Sequence, residues 1–278
     1  MNAFRINMVA ECNTDIEQLK VNYRKAQKYP KVRWSEEILS PVAVCGGGPG
    51  LSVRLDILRK WPGDIYAVND TAGYLSDNDI PCYMYAVDAS RHEYKTGSLV
   101  KGALFASFVH RRQFNQFERK QIRVFNMFEC DPEDGIGGGP TAVCRAANLF
   151  IKMGHGIVAY FGCEGSFLNI SHVTGFQKVA FDNMIIVRVN GVDYITNASM
   201  VLQSQYLSEE IRNHPGVLYS FSDGLLQAMI QYPDDWATVA VTEDLKKNHE
   251  RASKMDIYTR EYDFKNKVLW QPVEAAQG

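Results

Sequence analysis

Two glycine-rich runs carry the strongest chemical signal in this chain. In Cys45-Gly-Gly-Gly-Pro-Gly-Leu51 three glycines follow a short apolar run and precede a helical one. A phosphate group needs backbone N–H donors at close range and the positive end of a helix, and glycine permits both a positive-φ turn and close approach of the anion. Gly46, Gly47, Gly48 and Pro49 are therefore candidate contacts for the phosphates of a nucleotide; the plain alternative is a tight strand-to-helix turn made for packing alone. The second run, Asp134-Gly-Ile-Gly-Gly-Gly-Pro-Thr141, enters the clearest helical pattern in the sequence. Gly138 and Gly139 again expose N–H groups, and the Thr141 hydroxyl can bond a phosphate or sugar oxygen. Its alternative is a flexible loop with no ligand contact.

Polar residues stand where apolar runs stop: Asn69-Asp70, Asp88 and Glu164. Carboxylates at such ends can hold ribose hydroxyls, act as a general base, or ligate a Mg²⁺ that bridges phosphates, the role open to Asp88. Asn and Asp also cap helices there routinely, and for Asp70 capping weighs as much as chemistry. Asp88 and Glu164 are the better catalytic candidates because each ends a strongly apolar run. His172, in a polar loop soon after Glu164, is a third candidate acid, base or phosphate contact, against the commoner solvated loop histidine. Neither GxxxxGK[ST] nor a complete GxGxxG with its acidic partner occurs, which argues against P-loop hydrolysis and NAD chemistry.

The elements that must position these residues read as an α/β fold. Apolar runs at residues 41–45, 64–68, 82–87, 104–109, 122–128 and 156–161 have the buried-strand character, and helical spacing fills 51–61, 111–120 and 140–153 between them. Strands alternating with helices imply a Rossmann-like, mostly parallel sheet flanked by helices, with ligands gathering beyond the carboxyl ends of the strands. The Asn190-Gly191 turn inside 185–196 predicts a C-terminal β-hairpin, with helices at 198–213 and 223–231 around a short strand at 217–221. The domain reading is a helical extension over residues 1–40, a nucleotide-binding catalytic domain over 41–232, and a C-terminal helix and tail over 233–278.

The chain has 278 residues, 46% hydrophobic and 22% charged, and a formal charge of −2. That balance supplies a core but no global field for nucleic acid or anionic membrane. The start of the chain lacks the continuous apolar stretch of a secretory signal and no later run is long enough to span a bilayer, so the expectation is a cytoplasmic protein with no membrane partner. Six scattered cysteines form no CxxC pair and read as buried, reduced thiols.

Taken together, the strand ending Val-Cys-Gly46-Gly-Gly-Pro49-Gly-Leu51, the strand ending Ala-Val-Asn69-Asp70, the Val87-Asp88 strand end, and the Gly139-Pro-Thr141 helix followed by Tyr160-Phe-Gly162-Cys-Glu164 resemble the MptE-like superfamily. That group includes the archaeal hydroxymethyl-dihydropterin diphosphokinase and the flagellin-modifying motility accessory factors, and is distantly similar to bacterial sialyltransferases. The resemblance spans roughly residues 41–232. It implies a nucleotide donor, ATP or a CMP-sugar, with Gly46, Gly47, Gly48 and Pro49 along its phosphates. It also implies Asn69 and Asp88 near the base, ribose or metal, and Gly139, Thr141, Gly162 and Glu164 on the facing wall. Two positions depart from the pattern: Gly50 replaces the usual Ser and Glu164 the usual Asp.

The expected activity is thus a nucleotide-dependent transferase, diphosphokinase-like or glycosyltransferase-like, with Mg²⁺ as a candidate cofactor and a small molecule or glycan as acceptor. Two alternatives stand beside it: a nucleotide-binding accessory protein without turnover, and a nucleic-acid-modifying enzyme using Arg111, Arg112, Arg119, Lys120 and Arg123, which the net charge does not favour. The oligomeric state is left open.

Overall fold

The computed structural model describes residues 6–7, 15–89, 91–127, 131, 133–167, 184–241 and 271–272. His172 lies outside the described residues, as does most of the segment from 242 onward. A two-residue antiparallel ladder joins β1 (Ile6–Asn7) to β12 (Gln271–Pro272).

Seven strands form the central sheet: β2 (Val42–Cys45), β3 (Asp64–Val68), β4 (Cys82–Ala86), β5 (Val100–Ala106), β6 (Ile122–Phe125), β7 (Val158–Phe161) and β10 (Leu218–Ser220). Every pairing is parallel and the order is β10-β7-β2-β3-β4-β5-β6. Parallel strands are covered on both faces, which is why they appear in the sequence as continuous apolar runs. On one face Trp61 meets Phe161 and Phe221 edge-on, with ring centroids 5.5 and 6.3 Å away. On the other, Phe150 of α5 (Ala142–Lys152) packs on Tyr66 and Tyr85, at 4.6 and 5.9 Å.

From β2 to β6 the chain steps steadily outward; α5 then carries it back across the sheet and lays β7 on the free side of β2. Cys45 is in register with Ala67 on one side and Phe161 on the other. The direction of winding therefore reverses between β2 and β7, and such a reversal leaves a crevice at the carboxyl ends of the two strands.

Local readings from the sequence hold in part: β5 is shifted, spanning Val100–Ala106 where the apolar run predicts 104–109, and three helix readings change. The helix expected over 51–61 opens as a 3-10 turn, Pro49–Arg54, before α2 (Leu55–Arg59), because Pro49 and Gly50 favour a tight i to i+3 start. The helix expected over 111–120 is a single turn, α4 (Arg111–Phe114); a capping box between Glu118 and Gln121 starts a separate 3-10 turn. Pro140 stands outside α5, whose N-cap is Thr141.

A smaller antiparallel sheet has the order β11-β8-β9. The hairpin of β8 (Met184–Val189) and β9 (Val192–Asn197) closes on Asn190 and Gly191, both at positive φ, the geometry of a two-residue hairpin turn. Strand β11 (Trp236–Val241), in the segment read from sequence as helix and tail, pairs with β8. Helices α6 (Ala198–Asn213) and α7 (Gly224–Gln231) close a small core of Ile185, Val187, Val201, Leu225, Met229 and Trp236.

N-terminal to the sheet, α1 (Ile16–Ala26) buries Leu19 and Ala26, and Asn22 donates to the Phe108 carbonyl at 2.8 Å. The following chain bridges Lys31 to Val124, covering part of the outer edge of β6. Of the cysteines, Cys45, Cys82, Cys144 and Cys163 are buried free thiols; burial pushes Cys82 and Cys144 up to about 12, so they behave as small apolar side chains. No described helix is long and apolar enough to cross a membrane.

Candidate functional site at the switch point

At the mouth between β2 and β7 two backbones touch. The N–H of Gly46 donates to Phe161 O and that of Gly48 to Gly162 O, each at 2.8 Å, so the parallel ladder continues past both strand ends. A Cβ on Gly46 would stand 2.5 Å from Gly162 O, and Gly162 itself has φ +62°. Glycine is required on both sides of this contact by space, and at Gly162 by conformation as well. Pro49 is buried at the first position of the 3-10 turn, where its missing N–H costs nothing.

Glu164 lies over this turn. It is only 2% exposed, and both carboxylate oxygens are buried without a hydrogen-bond partner of good geometry. A side chain on Gly48 would overlap Oε2, and one on Gly50 would overlap Oε1. Gly50 and Glu164 are thus coupled by packing: the Glu occupies the space that a serine at 50 would need. Burial dominates the electrostatics and pushes the Glu164 carboxyl up to about 7, with Asp223 adding to the rise; the N–H groups of Glu164 and Gly50 and the Arg54 guanidinium oppose it. Arg54 also binds Asp223 at 2.9 Å and donates to Phe221 O at 3.2 Å, tying the 3-10 turn to the start of α7. Nothing in local sequence marks Arg54 or Asp223; they reach the site because β10 flanks β7.

The other candidates occupy the same carboxyl edge with different partners. Asn69 is held at φ +53° and its side-chain carbonyl is buried and unpartnered, leaving an acceptor available beside β3. Asp70 sits at the N-cap of α3 (Thr71–Asp77) but makes no capping bond; its carboxylate accepts from Lys95 N–H at 2.7 Å and lies 3.3 Å from His92 Nε2. It anchors the loop after β4. Asp88 is exposed on that loop and accepts from the Tyr94 hydroxyl at 3.3 Å. Strands β4 and β7 are three places apart, about 14 Å at ~4.8 Å per strand, so Asp88 and Glu164 serve different ends of a ligand rather than one atom.

Because α5 runs back against the strands, its first turn is also at this edge, where the Tyr85 hydroxyl donates to Ala142 O at 3.0 Å. Thr141 accepts from Cys144 N–H and donates to Gln203 Oε1 at 3.0 Å, so its hydroxyl already has two partners. Gly138 (φ +109°) and Gly139 (φ +61°) lie against Asn148, Cys144 and Tyr206 of α5 and α6. Asn148 donates to Gly137 O and Arg145 to Ile136 O, at 3.2 and 3.3 Å. The second glycine run is therefore clamped onto helices, a layer away from the Gly46–Gly48 turn. The Tyr160 hydroxyl of β7 is buried and unpartnered. Among the described residues no group of three or more His, Cys, Asp or Glu side chains could hold a metal ion by itself.

No protein-family model matches the chain, and no curated protein sequence matches it significantly. Its fold is similar to the solved structure of the MAf glycosyltransferase from Magnetospirillum magneticum AMB-1, with a TM-score of 0.58 at 17% identity over 75% of this chain. The match spans 36% of that protein, and at this identity what the two share is the α/β architecture.

Proposed function

We propose that the chain is a nucleotide-dependent transferase of the glycosyl-transferring kind, holding an activated sugar such as a CMP-sugar at the switch point and passing its glycosyl unit to a hydroxyl acceptor. One observation carries this reading: a buried carboxyl with no hydrogen bond of good geometry to either oxygen, raised to about 7, lies on the glycine turn where a donor's phosphate would sit. A neutral carboxylic acid donates to a phosphate oxygen, whereas an ionised one repels it. The fold likeness to a glycosyltransferase supports the same reading and favours it over diphosphoryl transfer.

In this scheme the Gly46–Pro49 turn borders the donor phosphate without donating through Gly46 or Gly48, whose N–H groups are already given to Phe161 O and Gly162 O, and Asn69 meets the ribose or base. The acceptor oxygen attacks the anomeric carbon as the bond from that carbon to the phosphate oxygen breaks. Protonated Glu164 supplies the proton to the leaving phosphate. The acceptor's own proton passes to water, because Asp88, three strands from Glu164, lies toward the other end of the ligand. Asp88 offers a single carboxylate arm at the ribose end, where a Mg²⁺ would need the ligand's own oxygens to complete its coordination.

The test is thermal stabilisation by CMP, a CMP-sugar and ATP with Mg²⁺, each at pH 6 and pH 8. Saturating cytidine ligand at about 100 times its Kd adds roughly 2.7 kcal/mol. The expected result is stabilisation by the cytidine ligands, larger at pH 6, with Glu164→Gln abolishing the pH dependence. Stabilisation by ATP with Mg²⁺ alone would transfer the reading to diphosphoryl transfer. Stabilisation by none of them would overturn it.

A further inference from the structure

The sequence marks a basic strip over Arg111–Arg123, and the structure divides it. Arg119 donates to Lys28 O, Lys120 pairs with Glu118 at 2.9 Å, and Arg123 is spent on the carbonyls of Lys120 and Ile122. Arg111 and Arg112 instead line, with Lys25 of α1 and Lys28 just after it, a cavity of about 430 Å³. Its walls are completed by Tyr29, Phe114 and Asn115.

This cavity is built, not incidental. The Tyr29 and Phe114 rings pack with centroids 4.6 Å apart, and the Asn22 bond to Phe108 O fixes α1 against the segment leading into α4. No described carboxylate forms a salt bridge with Lys25, Lys28, Arg111 or Arg112. Four cations gathered on one concavity without an acidic counterpart repel one another, and a polyanion relieves that repulsion. The field is felt at His110, the N-cap of α4: burial lowers its pKa, and Arg112, Arg91, Arg111 and Lys25 lower it further.

We infer that the groove between α1 and α4 binds a small polyphosphate-bearing ligand, its phosphates among Lys25, Lys28, Arg111 and Arg112 and its body against Tyr29. The volume matches that of small-molecule pockets and exceeds what one phosphate needs. The groove opens beyond β5, three strands or about 14 Å from the glycine turn after β2, so one donor phosphate group cannot fill both. This site is separate from the donor site and does not depend on it. It does touch the same edge: Gln113 of α4 accepts from Tyr94 N–H and donates to His92 O, holding the loop that carries Asp88.

The experiment is calorimetric titration of the full chain with pyrophosphate at low ionic strength. Three variants are compared: Arg111→Gln with Arg112→Gln, Lys60→Gln with Lys101→Gln as a charge-matched control elsewhere, and Gly47→Trp at the donor turn. Circular dichroism confirms that each is folded. The expected result is saturable, salt-sensitive binding that falls at least about tenfold in the arginine pair, each lost charge-assisted bond being worth a decade or more, and is retained in the other two. Equal loss in the control pair would reduce the effect to net charge, and loss in Gly47→Trp alone would move the anion to the donor turn. Binding of a single-stranded oligonucleotide but not of pyrophosphate would assign the groove to nucleic acid. Each of these outcomes, or no binding at all, overturns the proposal.

Discussion

Replacing Glu164 by Gln isolates the most unusual group in the molecule. In the folded chain burial raises its pKa from the ordinary 4.5 to about 7. Below about pH 4.5 both the folded and the unfolded chain hold the proton and the group contributes no difference. Between 4.5 and 7 the unfolded chain ionises freely while the folded chain keeps its proton, so stability falls as pH rises and levels off above about 7. At about 1.36 kcal/mol per pH unit the full loss is about 3.4 kcal/mol. Urea denaturation of the wild type and Glu164→Gln at intervals from pH 5 to pH 8 measures it directly. The wild type should lose about 2.5 kcal/mol relative to the variant across that range, equivalent to roughly 5–10 °C in Tm for a chain of this size. Profiles that run parallel would show that Glu164 titrates normally in the folded protein, and the argument from burial would then be wrong.

Two further outcomes follow from the same packing. Gly50→Ser should destabilise by about 1–3 kcal/mol through overlap with Glu164 Oε1, and adding Glu164→Asp should recover more than 0.5 kcal/mol beyond additivity, read from a double-mutant cycle by denaturation. Asn197→Ala should cost about 1 kcal/mol in the same assay, because the Asn197 side chain caps α6 by accepting from Met200 N–H at 2.9 Å; a cost near zero would mean that water satisfies the helix end equally well.

What the sequence determined by itself was local. Buried parallel strands must be apolar throughout, so 41–45, 64–68, 82–87 and 156–161 announced themselves. The two positive-φ residues of a tight hairpin restrict the turn so strongly that Asn190-Gly191 located it. The switch point could be expected only in outline: that ligands gather at the carboxyl edge follows from the alternation of elements, but which strands flank the reversal depends on where α5 returns the chain. Strand β11 was hidden because its register is set by β8, some fifty residues earlier, and its own residues do not distinguish an edge strand from a tail.

Tertiary structure also decided the chemistry of individual residues. Asp70 and Glu164 both follow apolar strands, yet the first is engaged by Lys95 and His92 while the second is sealed against Gly48 and Gly50 with no hydrogen bond of good geometry. A carboxylate's pKa depends on the dielectric and charges within a few ångströms, and those come from segments far away in the chain. For the same reason Arg111 and Arg112 became the wall of a groove only when α1 and the turn after it brought Lys25 and Lys28 to the same cavity.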